Sequence, residues 1–151
     1  MIILLDSGPL GLLVHPKVAS PPVIACKSWL SAIAASGHHI ALPGIIEYEL
    51  KRELVRMQSQ YSMTRLVLLA NSAAYLPVTR DVLNRAAEFW ALARQTNHPA
   101  TADKRIDIDM IVAAHADMIT RANPDVEVVI ATTNTRHFAG LAPAQNWNAI
   151  T

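Results

Sequence analysis

Short apolar runs alternate with stretches of helical periodicity along this chain. Residues 2–6 are an apolar, β-branched run that ends on Asp6 and predicts a buried strand. Gly8 and Pro9 break it, and residues 10–14 have the makings of a short helical turn. Pro21 and Pro22 suit the first turn of a helix reaching about residue 36. Gly37 ends that helix. Residues 39–42 predict a second strand, and Pro43 and Gly44 lead into the helix IIEYELKRELVRM. Residues 61–74 predict another helix and 75–78 a short strand. Thr79 and Asp81 are capping residues for a helix over LNRAAEFWALARQ. HPATADKR reads as a loop, Asp107 starts the helix DIDMIVAAHADMITRA, and Asn123, Pro124 and Asp125 make a turn. The clearest strand is VEVVIA at 126–131, followed by TTNTRHF as a loop. Strands alternating with helices predict an α/β fold, one domain over 1–151 with a central parallel sheet flanked by helices.

Composition sharpens this outline. The chain has 151 residues, 52% hydrophobic and 17% charged, with a mean hydropathy of +0.23. That content builds one well-buried domain and leads us to expect a homodimer that covers apolar surface. No apolar run approaches the ~20 residues needed to cross a bilayer. The N-terminal run is too short for a signal peptide and has no basic residues before it, so a cytoplasmic, membrane-free protein is expected. A single cysteine excludes an internal disulfide and fits a reducing compartment. Cys26 sits among Ile24, Ala25 and Trp29 and reads as a core residue. The net charge of +1 neither demands nor excludes a nucleic-acid partner. The basic residues gather as Lys51, Arg52 and Arg56, as Arg80, Arg85 and Arg94, and as Lys104 and Arg105. Solvated helix faces explain most of them, with a local phosphate-binding face as the alternative.

Ligands of parallel α/β sheets gather beyond the carboxyl ends of the strands. Asp6 ends the first strand, and Thr132, Thr133 and Asn134 end VEVVIA. Asp107 and Asp109 open a helix that continues with Ile111, Val112, Ala113 and Ala114. Glu49 lies three and four residues from Ile46 and Ile45, on the apolar side of its helix, whereas Glu47 and Glu53 fall elsewhere and read as solvated. Asp6, Glu49 and Asp109 are thus placed for burial. Two carboxylates ~4 Å apart repel by roughly 4 kcal/mol at an intermediate dielectric, so three together need a cation or a proton. Oxygen donors select Mg2+ or Mn2+ over zinc, and the six histidines are scattered. A plainer reading stays open on patterning alone. Asp6 then caps a helix, Asp107 and Asp109 favour a helix dipole, and Glu49 pairs with Arg52 or Arg56.

The ordered set LLDSGPL, IIEYELKREL, DIDMIVAAHA and VVIATTNTRHFAGL resembles the PIN domain, in particular the VapC-type ribonuclease toxins. The resemblance runs from Ile2 to about Leu141, and its most specific pieces are D-x-x-V-A-A-x-A at 109–116 and T-x-N-x-x-x-F at 132–138. It implies a catalytic set of Asp6, Glu49, Asp109 and Asn134, with Asp6, Glu49 and Asp109 as metal ligands. Asn134 falls where many members carry a fourth acid, although Asn also occurs there, and His137 where many have Asp before Phe. Asp107 is a weaker candidate to make up that charge. Ser7 and Thr133 are supporting groups, and Arg52 is placed to orient Glu49 or a phosphate. Lys104 and Arg105 are candidates to meet RNA backbone. The implied activity is an endoribonuclease dependent on Mg2+ or Mn2+, acting on RNA as the toxin of a toxin–antitoxin pair, homodimeric, with an antitoxin protein as partner. The alternative is a PIN-like binding or assembly module without catalysis, which Asn134 and the modest charge favour. A dehalogenase-like phosphatase fits poorly, because its second Asp would stand where Gly8 is. His115, Trp29 and Trp90 read as core or interface residues, since no ligand spacing or aromatic-basic platform surrounds them.

Overall fold

The computed structural model describes residues 1–96, 98 and 106–151. Among them, five strands form one wholly parallel sheet: β1 (Ile2–Leu5), β2 (His39–Pro43), β3 (Ala74–Leu76), β4 (Val128–Thr132) and β5 (Ala144–Asn146). The flanking helices are α1 (Ser7–Leu13), α2 (Pro21–Ala35), α3 (Gly44–Arg56), α4 (Gln60–Ser72), α5 (Arg80–Gln95) and α6 (Ile106–Ala122). The α/β architecture predicted from the alternation of strands and helices is the one observed. β1 and β4 read as unbroken apolar runs because a parallel strand covered on both faces has no polar side to show. Ile3, Leu4 and Leu5 are fully buried, and so is every residue of β4.

The strand order is β3-β2-β1-β4-β5. The chain leaves β1 towards β2 and β3, then returns across the sheet to lay β4 on the other side of β1. The direction of winding therefore reverses between β1 and β4. Connections diverge from a sheet at such a switch point and leave a crevice at its carboxyl edge. In register, Leu5 pairs with Ala131, so Asp6 and Thr132 stand side by side at that edge.

Local differences from the sequence expectation have simple causes. α1 begins at Ser7, not near Leu10. Pro9 lies in its first turn, where a missing N–H costs nothing. β4 starts at Val128, and Thr132 belongs to it; Glu127 serves instead as the carbonyl that Ile2 N–H donates to, at 2.8 Å. Residues 135–138 of the expected loop form a 3-10 turn, Thr135–Phe138. Glu47 is half-buried and 3.8 Å from Lys51. Most of the expected loop HPATADKR, with Lys104 and Arg105, lies outside the described residues.

Two clamps close the layers. Trp29 meets Trp147 edge to face at 5.7 Å and donates its indole N–H to Ile150 O at 3.1 Å. This ties α2 to the C-terminal 3-10 turn, Trp147–Ala149. Between α5 and α6, Asp117 accepts from both Arg85 and Arg121 at 2.8 Å, and the Arg85 guanidinium lies 4.2 Å over the Phe89 ring. Cys26 is fully buried, its thiol pushed up to about 12 by burial, so it packs and does not react. Trp90, in contrast, is 40% exposed, with Arg94 over its ring at 4.9 Å.

Phe138 is 1% exposed and anchors its turn in the core. Phe138→Leu is expected to cost roughly 1 kcal/mol and Phe138→Ala about 3–5 kcal/mol in urea titrations; an alanine variant as stable as the parent would show that the turn is not anchored there. His115, in α6, is 4% exposed, and its Nε2 makes no hydrogen bond among the described residues. Burial pushes its pKa down to about 4. The unfolded chain takes up that proton near pH 6.5. This group's contribution to stability is therefore intact above pH 6.5 and is lost as the pH falls towards 4, by up to roughly 1.4 kcal/mol per pH unit. His115→Leu should flatten the urea midpoint between pH 7 and pH 4.5 relative to the parent; parallel pH profiles would contradict this.

Candidate metal centre

Asp6 leaves β1 at the switch point and is the N-cap of α1. Its backbone N–H donates to Ala131 O at 3.0 Å, which extends the β1–β4 pairing by one step. Oδ1 accepts the Ser7 backbone N–H at 2.7 Å, and Oδ2 accepts the Thr132 hydroxyl at 2.6 Å. Thr132 is wholly buried and also accepts the Asn134 N–H at 2.9 Å. A short polar chain thus runs from the 3-10 turn through Thr132 to Asp6. Asp6 thus caps α1 through one oxygen and accepts the Thr132 hydroxyl through the other.

Glu49 and Asp109 come from two helices. α3 turns Ile46, Glu49 and Leu54 inwards, and α6 does the same with Asp109, Val112, Ala113 and Ala116. The two acids are 6% and 8% exposed. Both face the same polar cavity of about 300 Å3 as Asp6, together with Ser7, Gly8, Thr133, Asn134 and His137. Three acids from β1, α3 and α6 therefore share one crevice at the carboxyl edge of the sheet. Among the described residues, no three His, Cys, Asp or Glu side chains close on a common point. They line the space without meeting.

His137 supplies the contact that patterning did not offer. Its Nδ1 lies 2.9 Å from Asp109 Oδ2, and its Nε2 lies 2.8 Å from Asn134 Nδ2. With the amide N–H donating to Nε2, a neutral ring carries its proton on Nδ1, the nitrogen beside Asp109. Gly8 also has a spatial role. A Cβ there would stand 2.5 Å from Thr133 Oγ1, so only glycine lets α1 and the end of β4 approach this closely.

Other expected contributors lie elsewhere. Asp107 is exposed and lines an apolar recess with Leu83 and Trp90, away from the acidic cavity, because two residues along α6 turn it by about 200° to the side opposite Asp109. Arg52 lies over the Tyr48 ring at 5.8 Å, and Arg56 bonds Glu53 at 2.9 Å; neither lines the cavity. Ser7 acts through its backbone N–H. Sequence reasoning gave the supporting role to Thr133 and missed Thr132, whose position directly beside Asp6 follows only from the β1–β4 register. The donor chemistry, three carboxylates with an amide and an imidazole, suits a divalent cation that accepts oxygen ligands.

No family model matches the sequence, and no curated protein matches it. Solved structures do. A chain of the VapBC2 complex of Rickettsia felis, bound to a DNA fragment from its promoter, superposes with a TM-score of 0.72 at 16% identity, covering 97% of this chain and 99% of that one. A chain of VapBC-1 from nontypeable Haemophilus influenzae gives 0.67 at 18% identity, covering 97% and 98%. A chain of a toxin–antitoxin complex from Klebsiella pneumoniae gives 0.58 at 19% identity, covering 96% and 97%. Likeness of this kind, nearly end to end at low identity, speaks for the fold: the chain is an α/β domain with the PIN-like fold of these toxin–antitoxin chains.

Proposed function

We propose that the chain is an endoribonuclease dependent on a divalent cation, and that it serves as the toxin of a toxin–antitoxin pair with an antitoxin protein as its partner. The observation that carries this reading is the convergence of Asp6, Glu49 and Asp109, from three separate elements, on one polar crevice at the switch point. The fold shared with chains of toxin–antitoxin complexes supports it. The choice of RNA rests on the motif resemblance.

Asp6, Glu49 and Asp109 would hold Mg2+ or Mn2+. When bound, such a cation neutralises charge that builds on a phosphate and makes a water more acidic. The chain's own groups set the geometry. Ser7 N–H and the Thr132 hydroxyl fix both oxygens of Asp6. His137 steadies Asp109. Thr133 and Asn134 are exposed at the rim, where an incoming phosphate meets them first. Leu83, Trp90 and Leu92 of α5 are half exposed and offer a second copy of the chain a surface to cover. A monomer in sedimentation at micromolar concentration would remove the dimer from this reading.

A second reading, a binding module without catalysis, draws on the acids that line the space without closing on a point. Calorimetry separates the two, since the nuclease must bind Mn2+ at millimolar concentration and the module need not. Asp6→Asn and Asp109→Asn are expected to keep the parent's circular dichroism and lose RNA cleavage, and EDTA is expected to abolish cleavage by the parent. Cleavage that survives EDTA or either substitution would refute the nuclease. Thr132→Val removes the hydroxyl that orients Asp6, and is expected to lower the cleavage rate by roughly 10–100-fold; an unchanged rate would show that Asp6 needs no such support.

A further inference from the structure

We propose that Tyr75, Tyr48 and Arg52 form a shoulder beside the acidic cavity that holds single-stranded RNA, its bases by stacking and one phosphate by charge. The proposal rests on the ribonuclease reading above and adds how the substrate is gripped. Carboxylates repel phosphates. A strand that reaches an acidic cavity therefore takes its purchase from groups outside the acids.

α3 sets this shoulder next to the cavity. Glu49 lines the cavity, and Tyr48 and Arg52 stand about 100° and 60° round the helix from it, both to the same side. Gly44 and Tyr48 are four residues apart and share a face of α3. Tyr75 comes from β3, the edge strand, and its hydroxyl end reaches Gly44. Any side chain at position 44 would collide with that hydroxyl, so the glycine lets the ring seat over the first turn of α3. Tyr75, Tyr48 and Arg52 thus follow one another from the sheet edge along α3. The strip is open to solvent: Tyr48 is 58% exposed and Tyr75 53%, and Arg52 is exposed as well.

The chemistry of the strip suits a nucleic acid strand. Every base has a π-face, so an exposed tyrosine ring accepts any of them by stacking. Of the cations of α3, Lys51 lies near Glu47 and Arg56 bonds Glu53, whereas Arg52 has no carboxylate partner among the described residues. Its guanidinium stands 5.8 Å from the centre of the Tyr48 ring. That is near the outer reach of a cation–π contact, about 6 Å, so the hold is weak. A base that stacks on Tyr48 takes the place of the guanidinium, which is then released to a phosphate of the same strand. Paired bases keep their faces inside their own stack. The shoulder therefore selects unpaired nucleotides and is tolerant of their sequence.

The test uses the full chain carrying Asp6→Asn, so that bound RNA is not cut, with fluorescence anisotropy of a short labelled single strand in Mg2+. Tyr48→Ala added to this chain should weaken binding by about 5–100-fold. Tyr48→Phe, which keeps the ring, should bind like its parent, and should still quench a fluorescent adenine analogue placed in the strand. Arg52→Ala should lower the slope of log affinity against log salt by about 0.7, the share of one phosphate contact on a single strand. Duplex RNA of the same sequence should bind more weakly than the single strand. RNA bound equally well by the Tyr48→Ala and Arg52→Ala chains would overturn the shoulder and leave the nuclease standing, and the strip would then be free to meet a protein instead. Tyr48→Phe binding as poorly as Tyr48→Ala would overturn stacking. An otherwise unaltered chain that neither binds nor cleaves RNA would defeat the ribonuclease reading and this proposal with it.

Discussion

A hydroxyl and a carboxylate 126 positions apart in the chain hold the carboxyl ends of β1 and β4 in one arrangement, Thr132 donating to Asp6. Thr132 is fully buried, so its hydroxyl must find partners inside the protein. It takes the Asn134 N–H and gives its own proton to Asp6. These strands are neighbours only because the winding reverses between them. The same reversal opens the crevice. One topological fact therefore supplies both the space for a ligand and the hydrogen bond that aims the first acid into it. The rest of the site is added from helices that reach this edge, α3 with Glu49 and α6 with Asp109.

Asp6 receives a backbone N–H and a hydroxyl, and the His137 ring stands beside Asp109. The cations of α3 are engaged away from the cavity, Lys51 near Glu47, Arg56 on Glu53 and Arg52 across Tyr48. Arg85 of α5 and Arg121 of α6 meet on Asp117.

Much of this was legible in the sequence where a single physical rule decides. β1 and β4 are unbroken apolar runs, as doubly covered parallel strands must be. Glu49 and Asp109 share helical stripes with Ile46 and Val112, and both are buried. Where two rules compete, patterning misled. Gly8 and Pro9 read as breakers, yet the first helical turn tolerates proline, and Asp6 caps it. β5 has only three residues, Ala144 to Asn146, on a sheet edge, and no apolar run announces it. Asp107 and Asp109 look equivalent at the head of one helix, but only one of two residues so spaced can face inward. The closeness of Gly8 to Thr133 and of His137 to Asp109 depends on which strands are neighbours. That is a property of strand order, and local pattern does not contain it.

The turn after β4 shows how such non-local contacts become reliable. Segments that connect elements are ordinarily the least constrained parts of a domain. This one is held on several sides. Phe138 is sunk into the core, and its carbonyl accepts the N–H groups of Leu141 and Ala142 at 3.0 and 3.1 Å. His98 bonds Ala139 O at 2.7 Å. A few residues on, β5 pairs with β4 and returns the chain to the sheet. Asn134 and His137 are thus carried by a segment pinned at both ends, although Asn134 itself is exposed. A side chain on so short and anchored a turn has few other places to go. Much of the conformational freedom of this turn is lost on folding. The apolar packing of Phe138 and the polar geometry around Asp109 are therefore two ends of one device, in which core burial positions the site.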